Sequence, residues 1–225
     1  ALFYLAIPPS AFGDVLTRAE QEGRILDLPQ REDVPSIVAF DLGLNDSTVA
    51  VWVQARGEWL DIVDVEAWQN LTLAGIIQRV QQRGWTVREW LAPHDLRQRD
   101  LSAEGYGGLA PTREQVAQRL GVGFRVAPKL SLAEGLDAVR RMFSRLRFDL
   151  RRCAKLLEAL SQYQRVWDPQ ARVYAEKPKH DWCSDYADAL RTFAVGHRAP
   201  RDPADVKKPT VISKFDVFDH GRAPR

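Results

Sequence analysis

A continuous apolar run followed by a hairpin pattern constrains the fold of this 225-residue chain more than any other feature. Residues 37–40 (I-V-A-F) carry no polar side chain, which is typical of a strand buried on both faces. Residues 48–54 and 59–65 are rich in β-branched and aromatic residues, and a short turn around Gly57 joins them. The pattern predicts a meander of three antiparallel strands.

Helices and short strands are predicted along the rest of the chain. Thr112 begins a helix as its cap, and Ser131 opens a capping box with Glu134. Further helices are predicted over 14–24, 71–83, 149–163 and 181–195, strands over 86–92 and 124–127, and a hairpin within 166–174. We therefore predict an α/β fold with a mixed sheet, antiparallel in its first three strands and flanked by helices.

Composition excludes several classes of protein. No apolar run approaches the roughly 18–20 residues that a membrane span requires. Cys153 and Cys183 lack the spacing of a redox or zinc motif, so both are expected to be reduced residues. The sequence contains no G-x-x-x-x-G-K-[ST] loop and no G-x-S-x-G elbow. With a net charge of only +2, any affinity for DNA must come from local basic clusters.

Four aspartates stand where strands or a helix could direct them toward one point. Asp41 follows the apolar run, Asp95 follows the short run W-L-A, and Asp185 and Asp188 lie in the last predicted helix. Carboxylates delivered in this way are the ligands that a hard divalent cation needs. Taken singly, Asp41 also fits a turn that ends a strand, and Asp95 also fits a loop.

The last helix gives the most definite geometry. At about 100° per residue, Asp185 lies roughly 60° and Asp188 about 120° from the expected buried stripe, both on the same flank. The stripe comprises Trp182, Tyr186, Ala189 and Phe193. This places Asp185 deeper than Asp188. The helix dipole offers an alternative explanation for acids near a helix start, and it suits Asp181 better than Asp188.

Carboxylates this close together need cations. Two unit charges about 4 Å apart repel by about 4 kcal/mol at an effective dielectric constant of 20. A pair of divalent ions about 3.5–4 Å apart relieves that repulsion and suits in-line attack on a phosphodiester. Residues near the acids are weaker candidates, for DNA contact or for support of the site. The DNA-contact candidates are Lys177, Lys179, Arg97 and Arg99, and the supporting candidates are Asp46, His94 and His180.

With these residues identified, the chain resembles the C-terminal nuclease domain of the large terminase subunit of tailed bacteriophages. The resemblance covers roughly residues 13–197 and depends on ordered short segments: G-R-I, A-F-D-L-G-L-N-D-S-T, A-P-H-D, P-K-L-S-L-A-E-G and K-H-D-W-C-S-D-Y-A-D-A-L-R. It implies an RNase H-like fold and a nuclease that cuts concatemeric viral DNA during genome packaging. It also implies two divalent ions, Mg²⁺ or Mn²⁺.

The resemblance assigns metal ligation and catalysis to Asp41, Asp95 and one of the helix acids, Asp185 or Asp188. Relatives often have histidine at the position of Asp185, which leaves both helix acids as candidates. The resemblance further implies the host cytoplasm as location and double-stranded DNA, an ATPase domain, a small terminase subunit and a portal or procapsid as partners. A non-catalytic module that binds DNA or a procapsid, or a resolvase-type nuclease, remains the alternative.

The same resemblance suggests three segments along the chain. Residues 1–33 are expected to be a linker from an ATPase domain that the sequence lacks, since no phosphate-binding loop occurs. Residues 34–198 are expected to form the nuclease domain, and residues 199–225 a charged, proline-rich tail.

Overall fold

The computed structural model describes residues 10–43, 47–97, 111–168, 173–178 and 181–197. The strands are β1 (Ile25–Leu26), β2 (Ser36–Leu42), β3 (Thr48–Arg56), β4 (Trp59–Trp68), β5 (Val87–Ala92), β6 (Phe124–Val126), β7 (Leu146–Asp149), β8 (Arg165–Asp168) and β9 (Val173–Pro178). The helices are α1 (Gly13–Gln21), α2 (Leu73–Gln82), α3 (Arg113–Arg119), α4 (Leu132–Phe143), α5 (Ala154–Gln162) and α6 (Trp182–Gly196), with a 3₁₀ turn at His94–Arg97.

A seven-stranded mixed sheet in the order β1-β7-β4-β3-β2-β5-β6 forms the centre of the fold. β2, β3 and β4 are antiparallel neighbours, whereas β5 runs parallel to β2 and β6 runs parallel to β5. Five strands therefore follow the order β4-β3-β2-β5-β6, which is the arrangement expected of an RNase H-like sheet. The predicted fold class is confirmed.

Alternate residues of β2 enter two different cores. Ile37 and Ala39 belong to the core that also contains side chains of α4, α5 and α6. Val38 and Phe40 belong to the opposite core, together with Ile76 of α2. Because side chains alternate along a strand, Asp41 lies on the same face of the sheet as Ile37 and Ala39, which is the face covered by α6.

Several predicted ends of elements agree with the structure. Thr112 and Ser131 both form capping boxes, in which their hydroxyls accept the backbone N–H of the third helical residue. Gly57 adopts a φ of 60° in the turn between β3 and β4, a conformation that favours glycine. The predicted hairpin near residue 170 is present as the antiparallel pair β8 and β9.

Two predictions about elements need correction. The segment predicted as one helix from residue 149 begins with a strand, β7, which pairs in parallel with both β1 and β4. The segment expected to be a linker contributes α1 and β1 to the same folded unit. Phe12 is fully buried in the core under α6, and β1 adds an edge strand to the sheet. The boundary expected at residue 33 therefore lies inside this unit, because pairing with β7 is a long-range contact that local composition does not reveal.

Across the described ranges, no helix combines the length and apolar character needed to span a membrane.

Candidate active site

Neighbouring parallel strands bring Asp41 and Asp95 to the same edge of the sheet. Val38 of β2 lies beside Trp90 of β5, and Ala39 lies beside Leu91. Asp41 follows Ala39 by two residues, and Asp95 follows the last residue of β5 by three. Because the carboxyl ends of adjacent parallel strands share an edge, both carboxylates leave the sheet in the same region, where ligands commonly bind in open α/β sheets.

Asp95 is held by a 3₁₀ turn that begins directly after β5. The backbone N–H of Leu96 donates to the carbonyl oxygen of Pro93 at 3.2 Å, and the Leu96 side chain is fully buried, so the turn is anchored in the core. The Oδ1 atom of Asp95 is buried and accepts no hydrogen bond within the described part of the chain. A buried carboxylate oxygen without a donor is energetically unfavourable unless a cation or water satisfies it.

Helix α6 packs on β2, β3 and β5 and presents one half-buried polar flank. The members of this flank recur every three or four residues: Asp181, Asp185, Asp188 and Arg191. Asp181 is the N-cap, and its Oδ1 accepts the backbone N–H of Cys183 at 3.0 Å, which agrees with a capping role for this acid.

The expected buried stripe of α6 was partly wrong. Trp182 is 37% exposed, and its ring contacts Tyr186 edge-on and the Lys155 ammonium group at 4.4 Å from the ring centroid. The buried side of the helix is wider than one stripe, because α6 packs against the sheet as well as against α4 and α5. Its buried residues are Cys183, Ser184, Tyr186, Ala187, Ala189, Leu190, Thr192, Phe193 and Gly196.

The electrostatics of Asp41 show that the four aspartates form one cluster. Burial, followed by the negative charges of Asp188, Asp185 and Asp95 in that order, raises the pKa of Asp41 to about 8, whereas the Arg191 guanidinium opposes the shift. Residues far apart in the sequence are therefore brought within electrostatic range of one another. A cluster of this kind, with a strongly perturbed carboxyl group at a sheet edge, is typical of a functional site.

The two helix acids differ in their influence on Asp41. The charge of Asp188 raises the pKa of Asp41 more than the charge of Asp185 does. Helix geometry alone predicts the opposite order, with Asp185 deeper. The difference arises because α6 packs on β2 with a wider face than the expected stripe, which turns the flank of Asp188 toward the end of that strand.

Buried aspartates elsewhere in the fold have a different environment. Asp61 is fully buried and accepts two hydrogen bonds from Arg147, at 2.6 and 2.9 Å. Asp64 is bound by Arg83 and by the indole N–H of Trp85. These acids are structural, because each is neutralised by an arginine at hydrogen-bond distance. Asp41 differs from them in that its strongest charged neighbours are other carboxylates.

Sequence reasoning missed two residues of this site. Arg191 forms an ion pair with Asp188, with Nη2 3.2 Å from Oδ1. Their spacing of three residues in a helix is a recognisable pattern that could have identified the pair. The Tyr163 hydroxyl also belongs to this region, because burial and the charge of Asp188 both raise its pKa. No local pattern marks Tyr163, which comes from the end of α5.

The remaining predicted residues are only partly visible in the structure. His94 is exposed at the start of the 3₁₀ turn, directly before Asp95. Arg97 ends that turn and Lys177 lies in β9, and for both the structure describes the backbone alone. The others lie outside the described residues: Asp46, Arg99, Lys179 and His180.

The donors present suit a hard divalent cation, since carboxylate oxygens are the preferred ligands of Mg²⁺ and Ca²⁺. The buried, unsatisfied Oδ1 of Asp95 supports the same fit. Nevertheless, within the described ranges no three aspartate, glutamate, histidine or cysteine side chains stand close enough to hold one ion as they are placed. Ion binding would therefore require small side-chain movements within the cluster.

Comparison with known proteins identifies the fold. No protein-family model matches the sequence, and no curated protein matches it. The large terminase of a thermophilic bacteriophage has a similar structure, with a TM-score of 0.60 and 14% identity over 83% of this chain and 45% of that chain. This chain thus spans less than half the length of that protein.

Isolated nuclease domains match over nearly their full length. The large terminase nuclease of the thermophilic phage G20c, crystallised with bound cobalt and with bound magnesium, gives a TM-score of 0.55 at 11% identity and covers 83% of this chain and 96% of that chain. The P22 large terminase nuclease domain gives a TM-score of 0.52 at 17% identity over 77% of this chain and 88% of that chain. The chain therefore has the fold of the nuclease domain of phage large terminases.

Proposed function

We propose that this chain is a metal-dependent DNA endonuclease, the nuclease domain of a large terminase subunit that cuts concatemeric viral DNA during genome packaging. The observation that supports this most directly is the carboxylate cluster around Asp41, at the edge of the sheet where β2 and β5 end. The bound cobalt and magnesium of the similar G20c nuclease agree with a divalent cation at such a site.

The proposal assigns ligand roles to four side chains. Asp41 and Asp95 provide carboxylates from the two parallel strands, and Asp188 and Asp185 provide them from α6. Two divalent ions, Mg²⁺ or Mn²⁺, would activate a water molecule and stabilise the leaving 3′ oxygen. The protein needs no nucleophile of its own, and its contribution is to place the carboxylates and to keep the ions at a fixed distance from the scissile phosphate.

The biological role proposed here extends beyond the described chain. Since the chain spans 45% of the similar large terminase from a thermophilic bacteriophage, an ATPase domain of the same subunit is the expected covalent partner. Double-stranded DNA is the proposed substrate, and a small terminase subunit and a portal or procapsid are the proposed assembly partners in the cytoplasm of an infected bacterium. Arg97, Arg99, Lys177 and Lys179 remain proposed contacts to the DNA backbone.

Cleavage of supercoiled plasmid tests the proposal. We expect nicking and linearisation with Mn²⁺ or Mg²⁺, none with EDTA, and loss of both activities in Asp41→Ala and Asp95→Ala. Asp33→Ala is a matched control, because Asp33 is an exposed acid paired with Arg31. Cleavage by the purified Asp41→Ala variant at the wild-type rate would refute the assignment.

Substrate comparison separates the alternatives. A module that only binds DNA or a procapsid would leave every substrate intact with either ion. A resolvase-type enzyme would cut a four-way junction in preference to linear duplex, whereas a terminase nuclease should cut the duplex. Since no three acids among the described residues are already placed to hold one ion, the comparison with a module that only binds is essential.

A further inference from the structure

We propose that Arg191 is a positioning residue, a resident counter-ion that holds Asp188 until a divalent cation displaces it, and that Gly135 is the seat for its side chain. The inference rests on the proposed function and adds a control on metal binding to it.

The first observation is the ion pair itself. Nη2 of Arg191 lies 3.2 Å from Oδ1 of Asp188, and both side chains are more than two thirds buried, with 27% and 29% of their surface exposed. The two residues are three positions apart on α6, so the helix holds them side by side. The same guanidinium also opposes the effect of the other carboxylates on Asp41. Arg191 thus lies next to the carboxylate cluster that the proposed function uses.

The second observation explains how Arg191 is held there. Its side chain crosses α4 at Gly135, where an added Cβ would lie 2.5 Å from Cδ and 2.9 Å from Cγ of Arg191. Real Cβ atoms do not approach other atoms so closely, so any other residue at position 135 would move the arginine. A glycine inside a helix costs about 1 kcal/mol relative to alanine. The seat for Arg191 accounts for glycine in the middle of α4.

Competition between the guanidinium and the cation follows from electrostatics. A cation that binds Asp188 must share or replace the position of Arg191, and the two positive charges repel each other. A small pocket of about 100 Å³ adjoins the arginine, bordered also by His94, Ser131 and Thr192. The guanidinium can therefore move into this space when the carboxylate turns toward a metal ion. This rearrangement agrees with the absence of a preformed set of three ligands among the described residues.

Direct measurement of Mn²⁺ binding tests the inference without reference to cleavage. Free Mn²⁺ is followed by electron paramagnetic resonance at constant ionic strength in the absence of DNA. Removal of a unit charge about 6 Å from a divalent ion, even at the dielectric constant of water, changes its affinity by about tenfold. We expect Arg191→Ala to bind Mn²⁺ about tenfold more tightly, and Arg191→Lys, which keeps the charge, to bind within about threefold of the wild type.

Two glycine variants provide a matched pair. Gly135→Ala should displace the arginine and tighten Mn²⁺ binding as Arg191→Ala does. Gly75→Ala in α2 should have no effect, because its Cβ would meet only ordinary contacts at 3.6 Å or more. In an Arg191→Ala background, Gly135→Ala should no longer change the affinity, because the side chain that it displaces is gone.

The outcomes distinguish this inference from the proposed function. Wild-type protein that binds Mn²⁺, with equal or weaker binding by Arg191→Ala, would overturn the counter-ion role and leave the nuclease proposal intact. Wild-type protein that binds no Mn²⁺ would overturn both. Arg191→Ala leaves α4 unaltered, so the result does not depend on how well Gly135→Ala folds.

Discussion

The stability of the fold should depend on pH in a way that reports the crowding around Asp41. Its pKa is about 8 in the native state, against an ordinary value of 3.8. Between these values the native state keeps a proton that the unfolded chain has lost, so the free energy of unfolding falls as the pH rises from about 4 to about 8. Asp41 therefore destabilises the metal-free fold most strongly above pH 8.

The magnitude follows from the size of the shift. A difference of about four pKa units corresponds to about 5 kcal/mol at 1.36 kcal/mol per unit. Because Asp41 is only half-buried and its neighbours can move, we expect about 2–3 kcal/mol in practice. Asp41→Asn removes the ionisable group, so in EDTA at pH 8 the variant should be more stable than the wild type by this amount. At pH 4 the two proteins should be equally stable.

Urea unfolding at pH 4, 6 and 8 measures this difference. Asp33→Asn is the control, since its hydrogen bond to Arg31 lowers the pKa of Asp33 to about 2. Asp33 contributes stability that is present above about pH 4 and lost toward pH 2, so its removal should give no gain at pH 8. Addition of Mn²⁺ should stabilise the wild type and not Asp41→Asn. An Asp41→Asn variant that is no more stable than the wild type at pH 8 in EDTA would refute the clustering of carboxylates around this residue.

Three further predictions concern the rest of the fold. Asp61→Asn should destabilise the protein by about 3 kcal/mol in urea unfolding, because it breaks a buried ion pair with Arg147; an effect near zero would contradict a structural role. The two cysteines are both buried, so a thiol reagent should label neither in the native state and both in urea. Gly196→Ala should lower the melting temperature, because its Cβ would lie 2.6 Å from the Leu91 side chain; an unchanged value would show that Leu91 relaxes freely.

Much of the central sheet could be predicted because its signals are local. The run before Asp41 and the β-rich segments around Gly57 specify β2, β3 and β4 through side-chain pattern and turn chemistry. The capping boxes at Thr112 and Ser131 likewise mark helix starts within four residues. Each of these features is decided by neighbours in the sequence.

β7 could not be predicted in the same way. Only Leu146 and Phe148 alternate within its four residues, which does not distinguish a strand from the first turn of a helix. Its conformation is determined by partners far away in the sequence, namely Ile25 of β1 and Leu60 of β4. The position of Arg191 could not be predicted for a related reason, because it depends on a glycine in a different helix.

The structure also supports a prediction about which helix acid matters more. Asp188 raises the pKa of Asp41 more than Asp185 does, and its Oδ1 is the atom paired with Arg191. Asp185 lies in the first turn of α6, next to the Ser184 hydroxyl at 3.5 Å. Since electrostatic influence on Asp41 increases as distance and screening decrease, Asp188 is better placed than Asp185 to share an ion with Asp41.

We therefore expect Asp188→Asn to reduce kcat/KM for plasmid cleavage at least about tenfold more than Asp185→Asn, a difference of about 1.4 kcal/mol in transition-state stabilisation. Both substitutions keep the size of the side chain and remove one charge from the same helix flank, so each serves as the control for the other. Circular dichroism would verify that α6 remains folded in both variants. A larger loss in Asp185→Asn would show that Asp185 is the principal helix ligand, and that the packing of α6 on β2 does not determine which acid faces the strand end.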